Sequence, residues 1–133
     1  MIDARTGPFA ALLLRLALGV MFLAHGLLKL LVFTPAGTAQ FFQSVGFPGW
    51  LAYPVIAAET LGGVLLVLGV FPRWIAAVLT LELAGAATVH LHNGWMFTAP
   101  AGGWEYPVFL AVSSLVLALL GDGAFALKPS RTA

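Results

Sequence analysis

Cysteine is absent from this chain of 133 residues. That excludes thiolate catalysis, disulfide exchange and any cysteine-ligated zinc or iron–sulfur site within the chain. Charge is nearly as scarce. Six Lys or Arg and five Asp or Glu make up 8% of residues, against roughly 25% in an ordinary soluble domain. The formal net charge is +1 and no basic stripe exists, so nothing is available to neutralise phosphates and nucleic acid is excluded as a partner. A phosphate-cradling glycine loop and a dinucleotide fingerprint are also missing, so the chain has no self-sufficient redox centre.

What fills the sequence instead is apolar: 61% of residues are hydrophobic and mean hydropathy is +1.02. This is a membrane composition, and the length suits a single domain over residues 1–133. Four segments approach the roughly 17–25 residues that span a bilayer as helix: 9–33, 50–71, 74–92 and 104–120. The expected fold is all-α, a polytopic bundle of four transmembrane helices embedded in lipid. Arg5 before an apolar stretch has the look of a signal sequence. Arg15 interrupts that stretch, and no small-x-small cleavage site follows, so the segment is expected to be retained. Pro8 and Pro54 suit opening turns. Trp50, Trp74, Trp95 and Trp104 sit at segment edges, as interfacial anchors do.

Lys and Arg set the expected topology. Arg5, Arg73, Lys128 and Arg131 flank ends on one side, whereas the 34–49 and 93–103 loops contain neither residue type. The positive-inside rule then places both termini in the cytoplasm and these two loops outside. Thr34-Pro35 is expected to open a short surface helix that carries Gln40, Phe41 and Phe42 and stops at Gly46. Small-residue ridges at Thr80, Ala84 and Thr88, and at Ala58 and Gly62, are candidate helix-packing faces.

Against this background two carboxylates stand out, Glu59 and Glu82, each inside an apolar segment. A charge at bilayer depth costs a few kcal/mol or more unless it is paired, protonated or wetted, so such residues are candidates for function. At about 1.5 Å per helical residue, His25 lies roughly 12 Å below the outer surface, Lys29 roughly 6 Å, Glu59 roughly 14 Å and Glu82 roughly 15 Å. His25 and Lys29 are four apart and share a helix face. The set describes an outward-opening polar pocket. It can relay protons or hydrogen-bond the oxygens of an apolar ring such as a quinone, with Phe22, Trp95, Trp104 and Tyr106 as stacking partners. The simpler role for any one of these residues is pairing that fixes helix register. Haem between His25 and His90 is disfavoured by their different depths. A metal on His90, His92 and Glu105 is disfavoured because positions i and i+2 point apart on a helix.

The motifs LLLRLALGVMFLAHGLLKL, GTAQFFQSVGFPGW, AAETLGGVLLVLG, PRWIAA, VHLHNGWMF and GGWEYPVFL, taken in order, resemble the DoxX family of small bacterial membrane proteins. The resemblance runs from about Leu12 to Gly121. It implies a four-helix protein of the inner membrane. It also implies association with quinone-linked oxidoreductase systems, such as thiosulfate:quinone oxidoreductase and a membrane complex for oxidative-stress defence. Arg15, His25, Lys29, Glu59, Trp104, Glu105 and Tyr106 match the family pattern; Glu82 enters on depth alone. The resulting expectation is a quinone-interacting subunit with no covalent cofactor. Membrane or peripheral oxidoreductase subunits, or further copies of itself, would be its partners. A small proton-coupled transporter and a non-catalytic scaffold are the alternatives. The 102–107 stretch is expected to fold over the pocket mouth and bring Trp104 and Glu105 to it.

Overall fold

The computed structural model describes residues 1–131. Its first helix, α1, runs Gly7–Leu27 and continues without a break through a π-helical turn, Leu28–Val32. Pro8 occupies the first turn, where a missing N–H leaves nothing unsatisfied. Asp3 ties the start down: its Oδ1 accepts from the backbone N–H groups of Arg5 and Thr6 at 2.8 and 3.0 Å. Those bonds, chiefly the one from Thr6, hold the Asp3 carboxyl below its usual pKa. A short helix, α2, covers Pro35–Ser44, and Thr34 at its N-cap accepts from Gly37 N–H. After a 3-10 turn at Gly49–Leu51 come α3 (Ala52–Leu68), α4 (Pro72–His90) and α5 (Glu105–Leu120).

The spans 7–32, 49–68 and 72–93 are long and apolar enough to cross a membrane. At 16 residues, α5 is about 24 Å long and falls short of a hydrocarbon core of about 30 Å. The second span ends three residues earlier than expected. Gly69 adopts a left-handed conformation (φ 74°) and terminates the helix. Val70 and Phe71 then leave the helix, and Phe71 N–H donates to Lys128 O at 2.8 Å. Pro72 becomes the first residue of α4.

The four long helices close a ring in the order α1, α3, α4, α5, and the most extensive packing is α1 on α3 and α4 on α5. Leu18, Phe22, Leu66, Leu79, Leu83, Leu110 and Leu117 fill the centre. Leu13, Val20, Leu61, Val78, Leu81, Phe109 and Leu119 point outward and are exposed. On a soluble protein such an apolar girdle would be a liability; here it is the face presented to lipid.

The α1–α3 seam depends on glycine. A Cβ at Gly63 would lie 2.6 Å from Leu23 N and 2.8 Å from Gly19 O, both backbone atoms. At Gly26 it would run into Thr60. Small residues let helices approach closely where no hydrophobic effect drives them together. Gly63→Ala is therefore expected to lower stability by roughly 1–3 kcal/mol, as overpacking does. Thermal melting in detergent, with Gly85→Ala as the control because nothing lies within 4 Å of a Cβ there, checks this.

The ridge expected at Thr80, Ala84 and Thr88 is not a packing face within the chain. Ala84 and Thr88 are exposed, and both threonines turn their hydroxyls onto their own helix, Thr80 to Ala76 O and Thr88 to Gly85 O. Gly62 does pack, against Leu79 and Ile75 of α4.

Beyond α5 the chain folds back over the bundle end that holds the start of α1 and the α3–α4 turn. Ala124 N–H donates to Pro8 O at 2.9 Å, Lys128 N–H to Gly69 O at 3.0 Å, and Val70 and Lys128 form an isolated bridge. Asp122 accepts from the Ser130 backbone at 2.8 Å and from its hydroxyl, and Ser130 Oγ accepts from Arg73 N–H at 3.1 Å. The Lys128 ammonium sits 4.8 Å over the Phe71 ring.

Candidate functional site

Near the other end of the bundle, α1, α2, α3, α4 and α5 line a half-open cavity of about 380 Å³, within the range of small-molecule sites. Its polar lining is His25, Lys29, Glu59, Glu82, His90 and Tyr106, and its apolar lining includes Phe41, Phe42, Val45, Phe47 and Val55.

The central contact is Lys29 with Glu59. Lys29 Nζ donates to Glu59 Oε2 at 2.7 Å and to Oε1 at 3.0 Å. It is the one Lys/Arg–carboxylate ion pair among the described residues. The Glu59 side chain is only 5% exposed, so Lys29 does not snorkel away to the surface. The helix around Lys29 is locally unusual. Leu28–Val32 is wound as a π-turn, a form that often appears at functional sites. Thr34 then takes a strained backbone (φ 65°, ψ 156°). Buried Thr38 of α2 caps this region, its hydroxyl donating to Thr34 O at 2.9 Å and lying 3.4 Å from Lys29 O. The short helix α2 is thereby fastened to the turn that carries Lys29.

Glu82 of α4 stands beside Glu59, close enough for the two carboxyl groups to interact. Its Oε2 is shut off from solvent and has no hydrogen-bond partner among the described residues. The His25 ring lies 6.0 Å from the Tyr106 ring, centroid to centroid. His90 Nδ1 lies 3.1 Å from Gly102 O and donates to it, since a carbonyl can only accept.

Three residues expected in the pocket lie elsewhere. Arg15, 1% exposed, is ten residues before His25, about 15 Å along the helix. Its Nη1 donates to Asp122 O at 2.6 Å, and it packs over Gly69, where a Cβ would come within 2.8 Å of Nη1. Arg15 thus anchors the returning C-terminal segment. Trp104 and Glu105 are also outside the cavity. Gly94, Ala101 and Gly102 all have positive φ, and the loop closes on itself, with Trp104 N–H donating to Gly94 O and Glu105 N–H to Trp95 O, both at 3.1 Å. Trp104 stacks edge-on against Trp95 at 4.5 Å. Glu105 Oε1 accepts from Phe97 N–H at 3.1 Å. The loop meets the cavity wall through Gly102 at His90 but does not deliver Trp104 or Glu105 to it. Phe22, a suggested stacking partner, is in the packed core.

The aromatic wall comes instead from Phe41, Phe42 and Phe47. The sequence placed Phe41 and Phe42 on a surface helix; the available signal was that an amphipathic helix needs something beneath it. Among the described residues, no three His, Asp or Glu side chains are grouped to hold a metal ion.

The fold and site define a class: a small, multi-pass α-helical membrane protein with an apolar cavity and an ion pair buried in it. The chain belongs to the DoxX family, whose model matches residues 10–92. It is 40% identical over 119 residues to "Putative oxidoreductase CatD" of Bacillus subtilis (strain 168), covering 89% of this chain and 84% of that protein. It is 32% identical over 128 residues to "Inner membrane protein YphA" of Escherichia coli (strain K12), covering 90% and 89%. No solved structure matches the chain. It is a multi-pass protein of the inner membrane.

Proposed function

We propose that the chain is the quinone-interacting subunit of a membrane oxidoreductase system, and that the cavity between α1, α2, α3, α4 and α5 holds the quinone ring. The observation that carries this is the cavity itself. It is about 380 Å³ in volume, has apolar walls, and contains a Lys29–Glu59 pair with Glu82, His25 and Tyr106 around it. Buried polar groups that converge on an apolar space orient a ligand, and Phe41, Phe42 and Phe47 suit the faces of a ring. The relative named an oxidoreductase supports the same class of chemistry. The carboxyl and imidazole groups suit proton exchange with such a ring. A partner subunit, membrane-bound or peripheral, would supply the redox centre, and self-association would not interfere.

Purification in native lipid discs followed by mass spectrometry of the extracted lipids tests this reading. It predicts near-stoichiometric quinone; a preparation whose quinone content only matches the bulk membrane would contradict it.

In the proposed orientation both termini are cytoplasmic and the cavity lies in the outer half of the membrane, by the asymmetry of Lys and Arg. Cysteines placed at Ala36 and Ala101 should react with an impermeant reagent from outside. One at Ala133, which lies outside the described residues, should need permeabilised cells. The reverse pattern would invert the cavity.

A further inference from the structure

The cavity is open on one side, and the place of that opening specifies how a ligand reaches it. We infer that the opening is a lateral portal between α3 and α4 that faces the hydrocarbon core, and that the ligand is a ring bearing an apolar tail that leaves through it. This deepens the preceding reading and rests on it for occupancy of the cavity by a ring.

The portal follows from how α3 and α4 meet. The turn at Gly69–Phe71 joins them at the bundle end away from the cavity. Close to that turn they touch: a Cβ at Gly62 would lie 3.2 Å from Leu79 and 3.4 Å from Ile75. Two turns further out the same two faces have parted. Val55 lies two turns from Gly62, and Ala86 lies two turns from Leu79; both line the cavity. So do Leu51 and Val89, a further turn away. The two helices thus form a wedge. Gly85, also in its lining, has nothing within 4 Å of where a Cβ would stand.

Depth identifies what the wedge opens onto. Leu81 lines the cavity and is 75% exposed, so the cavity reaches the outer face of the bundle there. Leu81 is the middle residue of α4, about 14 Å from either end, where the surroundings are hydrocarbon. The end of the cavity nearer the loops is lined by Phe41 and Phe42 of α2 and by Phe47, and Thr38 fastens α2 to the end of α1. A tail that passes Val55, Leu81 and Gly85 stays in apolar surroundings throughout. One that left past α2 would be penalised for every methylene it put into water.

The test compares two probes on the full chain in lipid nanodiscs: a benzoquinone, and the same ring with a decyl tail. Affinities are expressed against the lipid-dissolved concentration of each probe. Wild type should bind the two within about threefold, since the tail exchanges one apolar medium for another. In Gly85→Phe, which fills the wedge, a gap of about tenfold or more against the tailed ring should open. Ala84→Phe, on the exposed face, should open none; an equal gap there would trace the effect to bulk on α4 and overturn the portal. Wild type that binds the tailed ring about tenfold less tightly than the bare one also overturns it, and does so even if the variants fail to fold. No gap in folded Gly85→Phe overturns it as well. A diazirine on the tail should label the 81–86 stretch in wild type; label confined to 41–47 or 93–103 would place the exit in water and contradict the inference. Binding of neither probe to wild type removes the ring site and this inference with it.

Discussion

Replacing Glu59 with leucine should lower stability by roughly 3–5 kcal/mol, the cost of stranding one partner of a buried ion pair. Lys29 Nζ donates to both Glu59 oxygens, and Glu59 is nearly inaccessible, so the stranded group is the Lys29 ammonium. Glu82 lies nearby, but its carboxyl belongs to the next helix and makes no bond to Lys29. The double variant Glu59→Leu/Lys29→Met should recover most of the loss, because an apolar pair of similar volume replaces a buried ionic one at little or no penalty. Glu59→Gln, which keeps an acceptor for Lys29, should fall between wild type and Glu59→Leu. Unfolding followed by tryptophan fluorescence in a fixed detergent mixture measures all three. If the double variant is no more stable than Glu59→Leu, the loss comes from packing and not from the stranded charge.

The second large effect is expected at Arg15. Arg15→Leu removes the donor to Asp122 O and the side chain packed over Gly69. A hydrogen bond from a charged group is worth roughly 1.5–3 kcal/mol, and here it holds the returning 121–130 segment. Chymotrypsin should cut after Phe125, which lies in that segment and is exposed, about tenfold faster in the variant, since local opening governs cleavage when closing is fast. Quinone-analogue affinity should not change, because the cavity begins about 15 Å further along α1. Lower affinity with unchanged cleavage would return Arg15 to the ligand site.

These two residues also mark what was legible in the sequence. The long helices were, because apolar runs of spanning length have few other uses, and their ends followed proline and glycine to within three residues. The short helix after Thr34 was announced by its capping residue and Pro35. His25, Lys29, Glu59 and Glu82 could be brought to one place by counting helical rise, because a rigid helix converts sequence position into depth.

The role of Arg15 was not legible in the same way. Its partner is a backbone carbonyl, at Asp122, in a stretch without periodicity, and no residue type signals a carbonyl acceptor. Trp104 and Glu105 were misplaced because sequence position puts them near the mouth. The direction of their side chains depends instead on positive φ angles at Gly94, Ala101 and Gly102, and alanine gives no hint of one. The α1–α3 seam was not read from the sequence. Gly19 meets Gly63 and Gly26 meets Thr60, and that closeness of approach depends on how two helices meet.

Photolabelling with an azidoquinone in nanodiscs, followed by peptide mapping, tests the central claim that the cavity holds a quinone. The account predicts label on the 41–47 and 81–90 stretches and on the peptide bearing Tyr106, suppressed by excess unlabelled quinone. Label that is not suppressed and is spread over outward residues such as Leu13, Val20 and Leu119, or concentrated near Arg15 and Asp122, would contradict it.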